Sequence, residues 1–196
     1  MRQKILPIVE GESEVGGIPV ILRRLLLRLE RPEVLVDTPF RVKRLQVVKP
    51  GELEYSIALG IRKREGIASV LVILDADDDE PSVLEQSLFK RCREVTSLPV
   101  GVVLARRELE AWFLGSKDSL RGVCGIRADA NAPADPEAIR GAKERLTRNM
   151  IGRRRYLPMK DQPVLAAKMD LDLALQRCPS FQRLLAELER LLAETS

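Results

Sequence analysis

The sequence predicts an α/β fold, a mostly parallel sheet flanked by helices with a helical carboxyl-terminal extension. Three observations predict it. Apolar runs at residues 3–9, 69–74 and 99–104 alternate with stretches whose leucines recur at helical spacing. The middle run, Ser69 to Leu74, shows no polar alternation, as a strand covered on both faces requires. With 196 residues, 45% hydrophobic and 32% charged, the chain can bury a core and is too apolar to be disordered throughout.

Ile5, Leu6, Ile8 and Val9 form the first strand, which ends at Glu10-Gly11. Leu22, Leu25, Leu26 and Leu29 mark the helix that follows. Gly16, Gly17 and Pro19 weaken its start, so its regular body is placed from Ile18 with the proline in the first turn. A second strand is expected at Val34–Val36 and an extended stretch at Leu45–Val48. Pro50-Gly51-Glu52 opens a helix that reaches Lys63 and stops at Gly66. The strand at 69–74 ends abruptly in the acidic run Asp75 to Glu80, and a helix from Pro81 to Val95 comes next. Pro99–Leu104 is a further buried strand, leading to Arg106-Arg107-Glu108-Leu109-Glu110-Ala111-Trp112.

Residues 1–121 thus form an α/β domain, and the character changes from Gly122. A loop is expected at 122–134, then a helix from Pro136, capped by Asp135, to Met150, and short helices from Asp161 onward. Leu184, Leu185, Leu188, Leu191 and Leu192 give the last helix one apolar stripe, read as packing against the body. Residues 122–196 are therefore an extension packed on the first domain. The leucine-rich last helix also raises the expectation of a homodimer.

Thirty-three Lys and Arg against 29 Asp and Glu leave a net charge of +4, which permits a polyanionic partner without requiring one. The absence of histidine decides more. It removes Ser-His-Asp and Cys-His nucleophiles, histidine general bases and His-ligated zinc together. Cys92, Cys124 and Cys178 are odd in number and in no C-x-x-C pair, so they read as small buried hydrophobes. Five apolar or proline residues before Glu10 are too few for a signal-peptide core, and no apolar run approaches the roughly twenty residues of a membrane span. A soluble cytoplasmic protein without a membrane partner is expected.

In a parallel sheet, ligands bind beyond the carboxyl ends of the strands. Acids fall at three such ends: Glu10 with Glu12 and Glu14, Asp75 with Asp77, and Glu108 with Glu110. If the backbone stays extended past Leu74, the carboxylates of Asp75 and Asp77 point the same way. Like charges held together raise a pKa or recruit a cation. With no imidazole or thiolate set available, an all-oxygen site selects Mg²⁺ or Mn²⁺ and could admit Ca²⁺. Asp78, Asp79 and Glu80 are assigned the plainer role of capping the next helix.

An apolar strand ending in Glu-Gly with a further acid near the helix start, followed by a strand ending in Asp-x-Asp, resembles the Toprim domain of topoisomerases, primases, small ribonucleases and overcoming-lysogenization-defect nucleases. The later segments Glu108-Leu109-Glu110-Ala111-Trp112-Phe113-Leu114, Tyr156-Leu157-Pro158-Met159-Lys160 and Pro179-Ser180-Phe181 are similar to motifs of small stand-alone Toprim-like proteins that neighbour ATPases. The resemblance implies a Toprim/Rossmann-like fold and hydrolysis of nucleic-acid phosphodiesters with Mg²⁺ or Mn²⁺. It implies Glu10 as a metal-binding or proton-shuttling acid beside Glu14, Asp75 and Asp77 as Mg²⁺ ligands, Glu110 with Glu108 at a second metal position, and Lys160 as the cation steadying a phosphate. An ATPase partner, in defence or DNA processing, is implied as well.

Between Arg140 and Lys160 there are eight basic residues and one acid, including Arg153-Arg154-Arg155. With Lys143, Arg145 and Arg148 at helical spacing, this segment either contacts DNA or RNA phosphates without reading sequence or is a solvated face. Trp112, on an apolar helix, is read as core. Two other functions compete with the nuclease. A haloacid-dehalogenase-type phosphatase or phosphotransferase also places Asp-x-Asp after a strand, but on its first strand. A non-catalytic module binding a metal or nucleic acid is the other alternative.

Overall fold

The computed structural model describes residues 2–47 and 49–195. Strand β1 (Lys4–Val9) lies beside β4 (Ile67–Asp75), which in turn pairs with β5 (Val100–Ala105). On its other side β1 meets β2 (Leu35–Val36) near its start and β3 (Phe40–Arg41) at its end. Every pairing between these strands is parallel. Val9 stands opposite Ile73 and Asp75 opposite Ala105, so the carboxyl ends of these strands open on one side of the sheet. The fold is Rossmann-like α/β, as the alternation of strand and helix predicts.

Alternate residues of each strand feed two cores. Ile5, Val9, Leu71, Ile73 and Val103 pack against α1 (Glu12–Arg28) and the helices that follow β5, while Leu6, Ile8, Val70, Val72 and Leu104 pack against α3 (Glu52–Arg62) and α4 (Pro81–Arg93). Burial on both faces is why β4 shows no polar alternation. Those later helices are α5 (Glu110–Gly115), α6 (Ala142–Arg148), α7 (Pro158–Lys168), α8 (Leu171–Arg177) and α9 (Pro179–Glu194). Phe181, Leu184, Leu188 and Leu191 of α9 are fully buried in the core that also holds α1, so residues 122–195 complete one layer over the sheet. The Gln3 side-chain amide donates to the Thr195 carbonyl, bringing positions 3 and 195 together.

The first helix starts at Glu12, not Ile18, and contains Pro19 well inside it. Glu14 explains the early start: its carboxylate accepts the Glu10 and Gly11 N–H groups at 3.0 and 3.1 Å, tying strand end to helix start. The glycines have a packing role. A Cβ on Gly16 would lie 3.0 Å from Pro163 Cγ, and one on Gly17 would lie 2.6 Å from Gln162 Oε1, so both admit α7 onto α1.

Other expectations need correction. Arg44–Val47 form a helical turn, α2, instead of an extended stretch, Val48 lies outside the described residues, and the nearby strand is β3. Asp135 does cap, accepting from the Glu137 and Ala138 N–H groups, yet only a 3-10 turn, Pro136–Ala138, follows. The chain breaks at Gly141, with φ 68°, before α6 begins. Helix α7 begins at Pro158, three residues before Asp161, whose carboxylate accepts the Leu157 N–H at 2.8 Å. Glu80, at the start of α4, makes no side-chain capping bond. Asp78 pairs with Arg107 and Arg140, and Asp79 with Arg44, so this acidic run neutralises arginines.

Trp112 is core, as expected. Its indole N–H donates to Ser180 Oγ at 2.8 Å and its ring meets Phe181 edge-on at 5.1 Å, with Ser180 held in turn by the buried Glu137. Cys92 and Cys178 are buried and Cys124 half-buried, all as free thiols. Among the described residues no helix is long and apolar enough to cross a membrane.

Candidate active site

Four strand ends supply the site. Glu10 follows β1, Arg44 comes shortly after β3, Asp75 ends β4, and Glu108 and Glu110 follow β5. Asp75 is almost fully buried, and its Oδ1 accepts the Leu109 N–H at 2.7 Å, which leaves Oδ2 facing the cluster. Glu110 is 1% exposed, and its Oε1 accepts from the Tyr156 hydroxyl at 3.1 Å. Glu108 accepts the N–H groups of Ala142 and Lys143 at 2.9 and 3.4 Å and so fixes where α6 starts.

The lysine at this cluster is Lys143, not Lys160. Its ammonium lies 3.6 Å from Glu110 Oε2, 3.8 Å from Glu108 Oε2 and 3.9 Å from Asp75 Oδ2. Lys160 is exposed and forms no ion pair with the acids among the described residues. Arg44 is the second cation. It donates to the carbonyls of Asp75, at 2.8 Å, and Ala76, at 3.4 Å, pairs with Asp79, and stands 3.7 Å from Asp77 and 4.0 Å from Glu10.

Asp77 departs from the expected geometry. Its φ of 52° takes the chain out of the extended conformation, and its N–H donates to the carbonyl of Arg107, itself at φ 66°. Its side chain is consequently half-exposed on the Arg44 side while Asp75 points inward. Two left-handed non-glycine residues bonded across adjacent strand ends are the kind of backbone strain that collects at functional sites. Glu14, expected among the metal ligands, spends one carboxylate oxygen on its capping bonds.

Burial dominates the electrostatics. It pushes the Glu10 carboxyl up to about 7, against the attraction of Arg44 and with help from Glu14 and Asp77. It raises Asp75 well above the ordinary carboxylate range, with Glu14 and Glu110 adding to the effect. It also raises Glu14 and Glu110. Burial pulls the Lys143 ammonium down, but Glu110, Asp75, Glu108 and Glu14 together hold it above its usual value. One atom stands out: Glu10 Oε2 is buried without a hydrogen-bond partner.

The donor chemistry fits a hard divalent cation, because every side-chain acceptor converging here is a carboxylate and one of them has an unused buried oxygen. Among the described residues no three carboxylates already stand at the spacing of a ligand shell. Lys143 and Arg44 stand among them.

Beside the cluster is a cleft of about 470 Å³ lined by Lys143, Thr147, Arg148, Arg155, Tyr156 and Pro158, with Glu144 its one acid. Arg148, Arg153 and Arg155 are exposed and form no ion pair among the described residues. Arg154 differs, since it donates to Asp161 at 2.8 Å. Lys143, Arg44 and Tyr156 were the site groups the sequence did not single out. Arg44 lay just before the stretch expected to be extended, and Lys143 read as one more charge in a basic segment. Tyr156 offered the only usable signal, as a tyrosine opening the motif that ends at Lys160.

No curated protein and no solved structure matches the chain. A family model described as a domain of unknown function, DUF4276, matches residues 9–189, a span that takes in every group of the site. The chain belongs to the DUF4276 family.

Proposed function

We propose that this protein is a Toprim-like, Mg²⁺- or Mn²⁺-dependent hydrolase of nucleic-acid phosphodiesters, with access to the site regulated by an ATPase partner. The observation that carries the reading is the convergence of Glu10, Asp75, Asp77 and Glu110 at neighbouring strand ends, with a buried Glu10 oxygen unpartnered, beside an arginine-lined cleft. Glu10, Asp75 and Asp77 are the residues that would hold the ion. Bound there, a divalent cation supplies acidification of water and offsets charge on the phosphoryl group.

The chain's own residues do the rest. Glu10, its buried Oε2 left for the ion, takes a proton from the attacking water at its other carboxylate oxygen. The water oxygen bonds to phosphorus, the ester P–O bond breaks, and the departing oxygen takes up a proton. Leu109 N–H fixes Asp75, and the Tyr156 hydroxyl fixes Glu110. Arg148, Arg153 and Arg155 hold neighbouring phosphates of DNA or RNA by charge, without reading bases.

Calorimetric titration of Mn²⁺ into the wild type and into a folded Asp75→Asn/Asp77→Asn variant tests this. Saturable binding lost in the variant, followed by cleavage of an oligonucleotide that Glu10→Gln abolishes, is the expected result. A second reading, a non-catalytic binding module, draws on the two cations already among the carboxylates. Oligonucleotide binding without metal binding or cleavage would select it. Phosphate-ester hydrolysis through an aspartyl-phosphate at Asp75 would instead select a phosphotransferase.

A further inference from the structure

We propose that Lys143 is the built-in second cation of this site, so that the cluster takes one divalent ion, on the Glu10 side, instead of a pair. The inference rests on the metal-dependent reading above and goes beyond it, since that reading leaves the Glu108–Glu110 position open to a second ion.

The Lys143 ammonium is centred among three carboxylates at 3.6, 3.8 and 3.9 Å, outside hydrogen-bond distance of all three. That is the placement of a shared counter-ion. A second divalent ion ligated by Glu108 Oε2 and Glu110 Oε2 would sit within about 4 Å of the ammonium, where like charges in a partly buried setting repel strongly. The remaining acceptor atoms on that side are already used. Glu110 Oε1 is bonded to Tyr156, and both Glu108 oxygens to the first N–H groups of α6.

The tether is backbone as well as side chain. Glu108 anchors the start of the helix that carries Lys143, immediately after the left-handed Gly141, so the ammonium is held from both ends. The opposite side is incomplete. Glu10 Oε2 has no hydrogen bond, and its nearest cation, Arg44, is 4.0 Å away with its donors directed to two carbonyls and Asp79. Three carboxylates shared by Lys143 and an unpartnered oxygen at Glu10 put the place for one divalent ion on the Glu10 side.

Ion stoichiometry tests the assignment without an activity readout. Mn²⁺ is titrated by calorimetry into the wild type, Lys143→Met and Lys143→Arg, and paramagnetic resonance reports spin coupling between neighbouring Mn²⁺ ions. The expected result is one ion per chain with no coupling in the wild type and in Lys143→Arg, and two coupled ions in Lys143→Met. Should Lys143→Met unfold without metal, the Lys143→Met/Glu108→Gln variant, which removes one charge of each sign, takes its place and should bind more Mn²⁺ than the wild type. Two coupled ions in the wild type would overturn the proposal while leaving the metal site standing. One ion of unchanged affinity in both methionine variants would overturn it too. No ion in any of the proteins would instead overturn the metal-dependent reading itself.

Discussion

Protonation of Glu10 links the site to stability. Its folded value of about 7 lies above the ordinary 4.5, so the folded chain keeps a proton that the unfolded chain has released across that interval. Its stabilising contribution is full below about 4.5 and is lost as pH rises through 7. Asp75, Glu14 and Glu110 are raised in the same direction. Melting of the metal-free protein, followed by dye fluorescence between pH 5 and 8, should therefore show a falling midpoint, and Glu10→Gln should flatten the fall. Tyr156→Phe removes the hydrogen bond that the phenol donates to the buried Glu110 Oε1, and denaturant titration should show a loss of about 1–3 kcal/mol. The acids were legible at this scale because each ends a strand that announces itself as an apolar run. Their cations were not, because which of several lysines and arginines reaches a carboxylate is decided by tertiary packing that leaves no periodic signal.

Two helix starts here are set by single carboxylate side chains. The start of α6 depends on Glu108, which belongs to the segment after β5, and that dependence is why a continuous helix from Pro136 read well in sequence and is broken in the fold. In the same way α1 begins early because Glu14 reaches back to the end of β1. The strands and most helices were readable from apolar pattern alone, whereas the two-residue β3 was too short to show any. Close packing between α1 and α7 yields a direct test. Gly17→Ala places a methyl group against Gln162 and should cost about 1–3 kcal/mol by denaturant unfolding, even though alanine is the better helix former.

Across the whole molecule, acidic and basic surfaces adjoin at α6, which turns Lys143 toward the carboxylates and lines the cleft with Arg148. If that cleft holds single-stranded nucleic acid, affinity measured by fluorescence anisotropy should fall with salt. Arg148→Ala/Arg155→Ala should reduce the logarithmic slope by about 1.4, at roughly 0.7 per phosphate contact. An unchanged slope would remove the cleft from the binding surface.

The position of α9 also bears on synthesis. Its leucines close the same core that β1 and α1 help to form, and Gln3 meets Thr195 across the finished fold. On a ribosome the part of the α1 core that α9 covers would stay open until residues 179–194 had emerged, so nascent chains expose sticky surface late into translation. A chain stopped at Cys178 should bind a hydrophobic dye strongly and be drawn to chaperones, although it contains every charged group of the site.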